Sequence, residues 1–181
     1  MPTRALPAPP RPLVGREEEV AAVEDLLTRE DVRLLTLTGP GGGKTRLALE
    51  VAGRQCEAFA DGVIFVSLAP LRDAAVVPST LAKALGVREV AGHTLLHNLE
   101  YCLGERRVLV VLDNLERLPE AVPPIADLLG ACPRLTVLAT SRVPLHLTAE
   151  HLFPLGPLFS QEEYGASVDV PARSAAVELF R

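Results

Sequence analysis

Two hydrophobic periods alternate along the chain. Short, nearly continuous apolar runs occupy residues 34–37, 63–68, 108–112, 135–139 and 151–155. Strands buried on both faces read this way, because helices cover each side of a parallel sheet. Between the runs, apolar residues recur at three- and four-residue spacing. Val20, Val23, Leu26 and Leu27 share one face of a helix that starts near Glu17. Glu17, Glu18 and Glu19 fall in its first turn and complement the helix dipole. A second helix is predicted over 44–60, with Ala48, Ala52, Cys56 and Phe59 as its buried stripe. Further helices are predicted over 77–85 and 93–104, separated by Gly86 and Gly92. Pro119, Pro123 and Pro124 argue against one continuous helix over 115–131; a turn followed by a helix from about Pro124 fits better. Strand–helix alternation of this kind predicts an α/β fold: a doubly wound, five-stranded parallel sheet with helices on both faces.

The ends differ from this pattern. Residues 1–12 carry Pro2, Pro7, Pro9, Pro10 and Pro12, and are expected to be an extended, poorly ordered tether. The domain proper is expected over 13–160. Beyond it, 160–171 reads as a loop and 174–181 as the start of an amphipathic helix.

Composition narrows the choice of partner. The 181 residues suit one domain, and 48% hydrophobic content supplies a core that must be aliphatic, since aromatics are 4% and Trp is absent. A net charge of −5 argues against a general nucleic-acid or anionic-membrane surface. Cys56, Cys102 and Cys132 are widely spaced with no C-x-x-C, as expected of buried apolar residues in a reducing compartment. No apolar run has transmembrane length, and the first dozen residues lack the apolar centre of a secretory signal. The expected location is cytoplasmic.

The chemistry concentrates at Gly39-Pro40-Gly41-Gly42-Gly43-Lys44-Thr45, between an apolar strand and a helical stretch. Glycines let backbone N–H groups turn onto an anion, and the helix N-terminus adds positive potential. Lys44 would reach β- and γ-phosphates, and the Thr45 hydroxyl would sit on Mg²⁺. The loop has one residue fewer than G-x-x-x-x-G-K-[ST] unless Thr38 takes the first glycine's place. Val108 to Leu112 ends in Asp113, which a buried strand delivers to the sheet edge where Mg²⁺ would be held. The run 135–139 ends in Thr140-Ser141-Arg142, a polar and cationic tip at the same edge, where a cation can sense a γ-phosphate. His93 and His97 share a helix face, but no carboxylate completes a metal motif, and solvated or capping histidines are the better reading.

Taken in order, these motifs resemble the nucleotide-binding domain of NB-ARC-like signal-transduction (STAND) P-loop ATPases, relatives of the AAA+ group, in the form found in bacterial regulators of the LuxR or antibiotic-regulator class. The carriers are Leu13-Val14-Gly15-Arg16-Glu17, Thr36 to Ala48, Asp61 to Leu71, Leu81 to Val87, Val110 to Glu116, Ala131-Cys132-Pro133 and Leu138 to Leu145. The resemblance implies ATP or ADP with Mg²⁺ as ligands. It puts Val14, Gly15 and Arg16 near the adenine, the loop through Arg46 on the phosphates, Thr45 and Asp113 on the metal, and Arg142 on the γ-phosphate. It further implies a slow ATPase used as a switch, and a helical lid that would begin within 161–181. Asn114 stands where fast ATPases carry a second acid, which predicts weak hydrolysis. Protein partners, or a lid or sensor domain beyond this chain, are expected; direct nucleic-acid or membrane contact is not. The competing reading is a degenerate P-loop domain that binds no nucleotide and serves as an interaction scaffold. A small-molecule kinase or GTPase ranks low, since N-K-x-D is missing.

Overall fold

A computed structural model describes residues 3–7, 13, 15–88, 90 and 92–156. In chain order the elements are β1 (Thr3–Ala5), α1 (Glu17–Thr28), β2 (Leu34–Thr38), α2 (Lys44–Arg54), β3 (Gly62–Ser67), α3 (Val77–Leu85), α4 (Leu95–Leu103), β4 (Val108–Asp113), α5 (Val122–Ala131), β5 (Leu135–Thr140) and β6 (Glu150–Pro154). The strands form one sheet in the order β1-β3-β4-β5-β2-β6, every pair parallel. The expected five-stranded parallel core is therefore present as β2 to β6.

Strand alternation, hidden in the sequence by uniformly apolar runs, appears in the packing. Leu34, Ile64, Val66, Val110, Leu112, Val137 and Ala139 face the layer built by α3, α4 and α5. Leu35, Leu37, Val63, Leu109, Val111 and Leu138 face α1 and α2. Each fully buried Leu or Val contributes about 1.5–3 kcal/mol. That margin tolerates Thr36, which is fully buried with no hydrogen-bond partner for its hydroxyl among the described residues. Such an orphan costs about 1–3 kcal/mol.

Local chemistry sets the element ends. The Thr94 hydroxyl caps α4 by accepting from His97 N at 3.2 Å. Gly86 ends α3 with φ +69°. Pro123 and Pro124 fall in the first turn of α5, where a missing N–H breaks no helical bond.

Four expectations change. Residues Thr3–Ala5 of the expected tether pair with Gly62 to Ile64 as a sixth, edge strand. Three residues of extended backbone beside a free edge are enough to extend the ladder, despite the surrounding prolines. The second helix stops at Arg54, so its buried face is Leu47, Ala48, Val51 and Ala52, and Phe59 packs from the following turn. The helix predicted from His93 starts at Leu95, and the last strand starts at Glu150. Val14, most of 1–12, and the loop and helix expected over 160–181 lie outside the described residues.

Candidate functional site

The glycine-rich loop leaves β2 at the C-terminal edge of the sheet. Thr38 stays in the strand, so the turn begins at Gly39, and Gly39 rather than Thr38 takes the first glycine's place. Gly39, Gly41 and Gly43 have φ of +129°, +82° and +110°, a region that side chains with a Cβ adopt poorly. At Gly39 a Cβ would also run into the Leu155 carbonyl oxygen. Leu155 lies there because its N–H donates to the Thr38 carbonyl at 2.7 Å, continuing the β2–β6 pairing past the strand end. Around Gly41 and Gly42 the backbone is open. Lys44 opens α2 and is buried; its ammonium donates to the carbonyls of Gly39 at 2.5 Å and Gly41 at 3.0 Å. Among the described residues this ammonium is held by backbone carbonyls and pairs with no acid, an arrangement that attracts an anion.

The acid expected at the end of β4 is in place. The Thr45 hydroxyl donates to Asp113 Oδ1 at 2.6 Å, across 68 residues. The Thr140 hydroxyl donates to the same oxygen at 2.7 Å and accepts from the Asn114 N–H at 2.9 Å. Sheet order explains the second contact: β5 lies between β2 and β4, so its last residue is beside both the loop and the acid. Asn114 holds φ +62°, a left-handed position Asn tolerates, and this turns the chain sharply out of the strand. Thr140 was part of the polar tip in the sequence, but its contact to Asp113 could not be read there, because it depends on the register of β4 against β5.

A cleft of about 470 Å³ lies beside the loop, lined by Leu13, Arg16, Pro40 to Gly43 and Arg46. It brings Leu13 and Arg16 to the loop. Arg16 itself is only 4% exposed. Its guanidinium donates to Glu19 Oε1 at 2.7 Å and to the Gly156 carbonyl at 2.5 Å, 140 residues away. Arg16 thus ties the start of α1 to the segment that crosses the loop. Its spacing in the sequence gave no sign of this.

Arg142 is not brought to Asp113. It is 77% exposed, and its Nε lies 3.5 Å from Glu116 Oε1. Glu116 is mostly buried, and its other oxygen has no hydrogen-bond partner among the described residues. His93 and His97 stack at 4.9 Å between centroids, and His97 Nδ1 lies 3.8 Å from Glu100. Among the described residues no cluster of three His, Cys, Asp or Glu side chains could hold a metal. Cys132 is buried; desolvation first, and the Glu100 charge second, push its thiol above the ordinary range. No helix among the described residues is long and apolar enough to cross a membrane.

A parallel sheet with helices on both faces, and a glycine loop, lysine and strand-end acid meeting at its C-terminal edge, define the P-loop NTPase fold. Solved structures agree. The chain is similar to Cdc6p from Pyrobaculum aerophilum (TM-score 0.56, 19% identity, 75% of this chain and 41% of that one). It is also similar to the Aeropyrum pernix ORC2 protein, described as ADPNP–ADP complexes (TM-score 0.59, 17% identity, 82% and 50%). Both are AAA+ P-loop ATPases. No family model matches the chain. Among curated proteins it is 45% identical over 120 residues to a Mycobacterium tuberculosis protein named as an HTH-type transcriptional regulator, covering 65% of this chain and 13% of that protein. It is 40% identical over 147 residues to an uncharacterized M. tuberculosis protein (80% and 37%). It is 31% identical over 175 residues to the regulatory protein AfsR of Streptomyces coelicolor (87% and 17%). The chain therefore spans well under half the length of these relatives.

Proposed function

We propose that this chain is the ATP/ADP-binding switch module of a STAND-type, NB-ARC-like regulatory ATPase. The observation that carries the proposal is the convergence of Lys44, Thr45 and Asp113 at one sheet edge, with the Thr45 hydroxyl 2.6 Å from the Asp113 carboxylate. A hydroxyl and a carboxylate side by side are the oxygen donors Mg²⁺ takes from a P-loop protein. Gly41 and Gly42 are exposed with open space beside their α-carbons, which leaves room for phosphate oxygens to approach the loop. The residues present thus fit a nucleotide with Mg²⁺.

In this reading the bound metal neutralises phosphate charge, and the chain's own groups do the rest. Lys44 exchanges the Gly39 and Gly41 carbonyls for phosphate oxygens. Thr45 and Asp113 would hold the metal, and Thr140 fixes the orientation of Asp113. Arg16 and Leu13 wall the cleft next to the loop, where the base would lie. Asn114 cannot act as a base, which fits slow hydrolysis. Arg142 would have to leave Glu116 to meet a γ-phosphate, so a triphosphate would reposition it and a diphosphate would not. That difference is the source of switching: only differential contact with two states shifts their balance. The regulator names of the relatives support this role.

The second reading, a scaffold that binds no nucleotide, draws on the short loop and on the loop carbonyls turned towards Lys44. Titration of the purified chain with fluorescent ATP and ADP, with and without Mg²⁺, separates the two. The switch reading expects micromolar binding that Lys44→Ala abolishes. Binding seen only after inserting one residue between Gly42 and Gly43 would establish the scaffold reading instead.

A further inference from the structure

The opposite edge of the sheet carries a second feature. In a parallel sheet all strand starts lie together, and here arginines immediately precede three adjacent strands: Arg33 before β2, Arg107 before β4 and Arg134 before β5. Arg29 joins them from the end of α1. These four arginines line a cleft of about 320 Å³, with buried Leu27, Val32 and Phe59 behind it and exposed Pro133 beside it. In a chain of net charge −5 this is a local reversal of sign.

Two of the arginines have internal tasks. Arg33 donates to the carbonyls of Leu129, of Cys132 at 2.7 Å and of Leu135 at 3.4 Å, and so caps the C-terminal end of α5. Arg29 pairs with Asp31 at 2.8 Å. These internal bonds account for Arg29 and Arg33 and no more. The Arg107 guanidinium carbon lies over the Phe59 ring at 5.6 Å from its centroid. Among the described residues it makes no hydrogen bond or ion pair to an acid, and neither does the exposed Arg134. The acids nearby are Glu30 on the cleft wall, Asp31 on Arg29, and Asp61, which accepts from the Arg107 backbone N–H at 2.8 Å.

We infer that this cleft is a docking site for an acidic peptide segment, with Arg107 and Arg134 receiving its carboxylates. Two guanidiniums without an acid partner among the described residues match the carboxylates of a peptide, and exposed Pro133 offers an apolar contact in the same cleft. A polynucleotide fits less well, because the positive surface is a short cleft rather than a stripe. The site is at the far edge from Lys44 and Asp113, and it stands whether or not the chain binds nucleotide.

The test is fluorescence anisotropy of a labelled ten-residue peptide of alternating Glu and Leu, titrated with the full chain at low and at high salt. A Lys–Leu peptide and a single-stranded DNA of similar charge serve as controls. The expected result is saturable binding of the acidic peptide that weakens with salt, and falls about tenfold or more in Arg107→Gln/Arg134→Gln. Both side chains lie at the surface of the cleft rather than in the core, and an unchanged thermal midpoint of the double variant verifies its fold. No binding at millimolar protein, equal binding of the Lys–Leu peptide, or binding indifferent to the double substitution would overturn the inference. So would tighter binding of the DNA through the same arginines.

Discussion

Alanine substitutions along the glycine loop should form a steep ladder of stability. Gly39 is the top rung. Its φ of +129° lies in a region close to glycine-only, and the new Cβ would collide with the Leu155 carbonyl oxygen. Backbone strain of this kind costs about 1–3 kcal/mol. Relieving the collision by moving the 155 segment breaks the Leu155 N–H bond to Thr38, worth about 1 kcal/mol. Gly39→Ala should therefore lose about 2–4 kcal/mol. Gly41 has φ +82° but open space around it, so only the left-handed penalty of about 1–2 kcal/mol applies. Gly42 has neither positive φ nor a neighbour within 4 Å. Gly42→Ala should be neutral, or stabilising by up to about 1 kcal/mol through the unfolded chain. Urea denaturation of the three variants gives the ladder directly, and the slope of each transition shows whether the unfolded state has changed. Thermal midpoints should fall by about 2–4 °C for each kcal/mol lost. If Gly39→Ala lies within 0.5 kcal/mol of the parent (roughly the noise of surface substitutions), Leu155 does not pin the loop. If Gly42→Ala costs as much as Gly39→Ala, the assignment of Gly39 as first loop glycine is wrong.

Two further substitutions probe the joints of the site. Thr140→Val removes a hydrogen bond to a carboxylate and strands the Asn114 N–H, so it should cost about 2–3 kcal/mol by urea titration, with Thr140→Ser recovering most of it; a loss under about 0.5 kcal/mol would mean Asp113 is not held from β5. Arg16→Ala cuts the tie between α1 and Gly156, and should cost about 2–3 kcal/mol while raising amide exchange across 150–156 above that of β2; unchanged exchange there would refute the tie.

How much of this was legible depended on the range of each contact. The apolar runs needed only local pattern, and all five became strands of one parallel sheet. The loop, Lys44, Thr45 and Asp113 were legible because residue type and spacing announce their chemistry. Which strand lies next to which was not: nothing local says that β5 enters between β2 and β4. Thr140 therefore reads as one residue of a polar tip, while the structure makes it the partner of Asp113. Arg142, the more conspicuous residue, goes to Glu116 instead. Arg16, which the resemblance places near the adenine, is buried, and its bond to the Gly156 carbonyl, 140 residues away, was not legible for the same reason.

These long-range contacts also say how the site is mechanically linked. Thr38 holds Leu155, Leu155 covers Gly39, and Gly156 holds Arg16, so the loop, the start of α1 and the segment after β6 are one unit. A group that displaces Lys44 from the Gly39 carbonyl acts on the residue whose Cβ position Leu155 occupies. Any ligand-driven shift in the loop must therefore be absorbed by the 155–156 segment, or by Arg16. In the switch reading that segment is the natural output: it leaves the sheet beside the loop and leads on into the rest of the chain. The ladder at Gly39 and the exchange measurement on Arg16→Ala test the two ends of this linkage independently. If ligand binding protects 150–156 in the parent but not in Arg16→Ala, the tie transmits the signal; equal protection in both would confine the response to the loop.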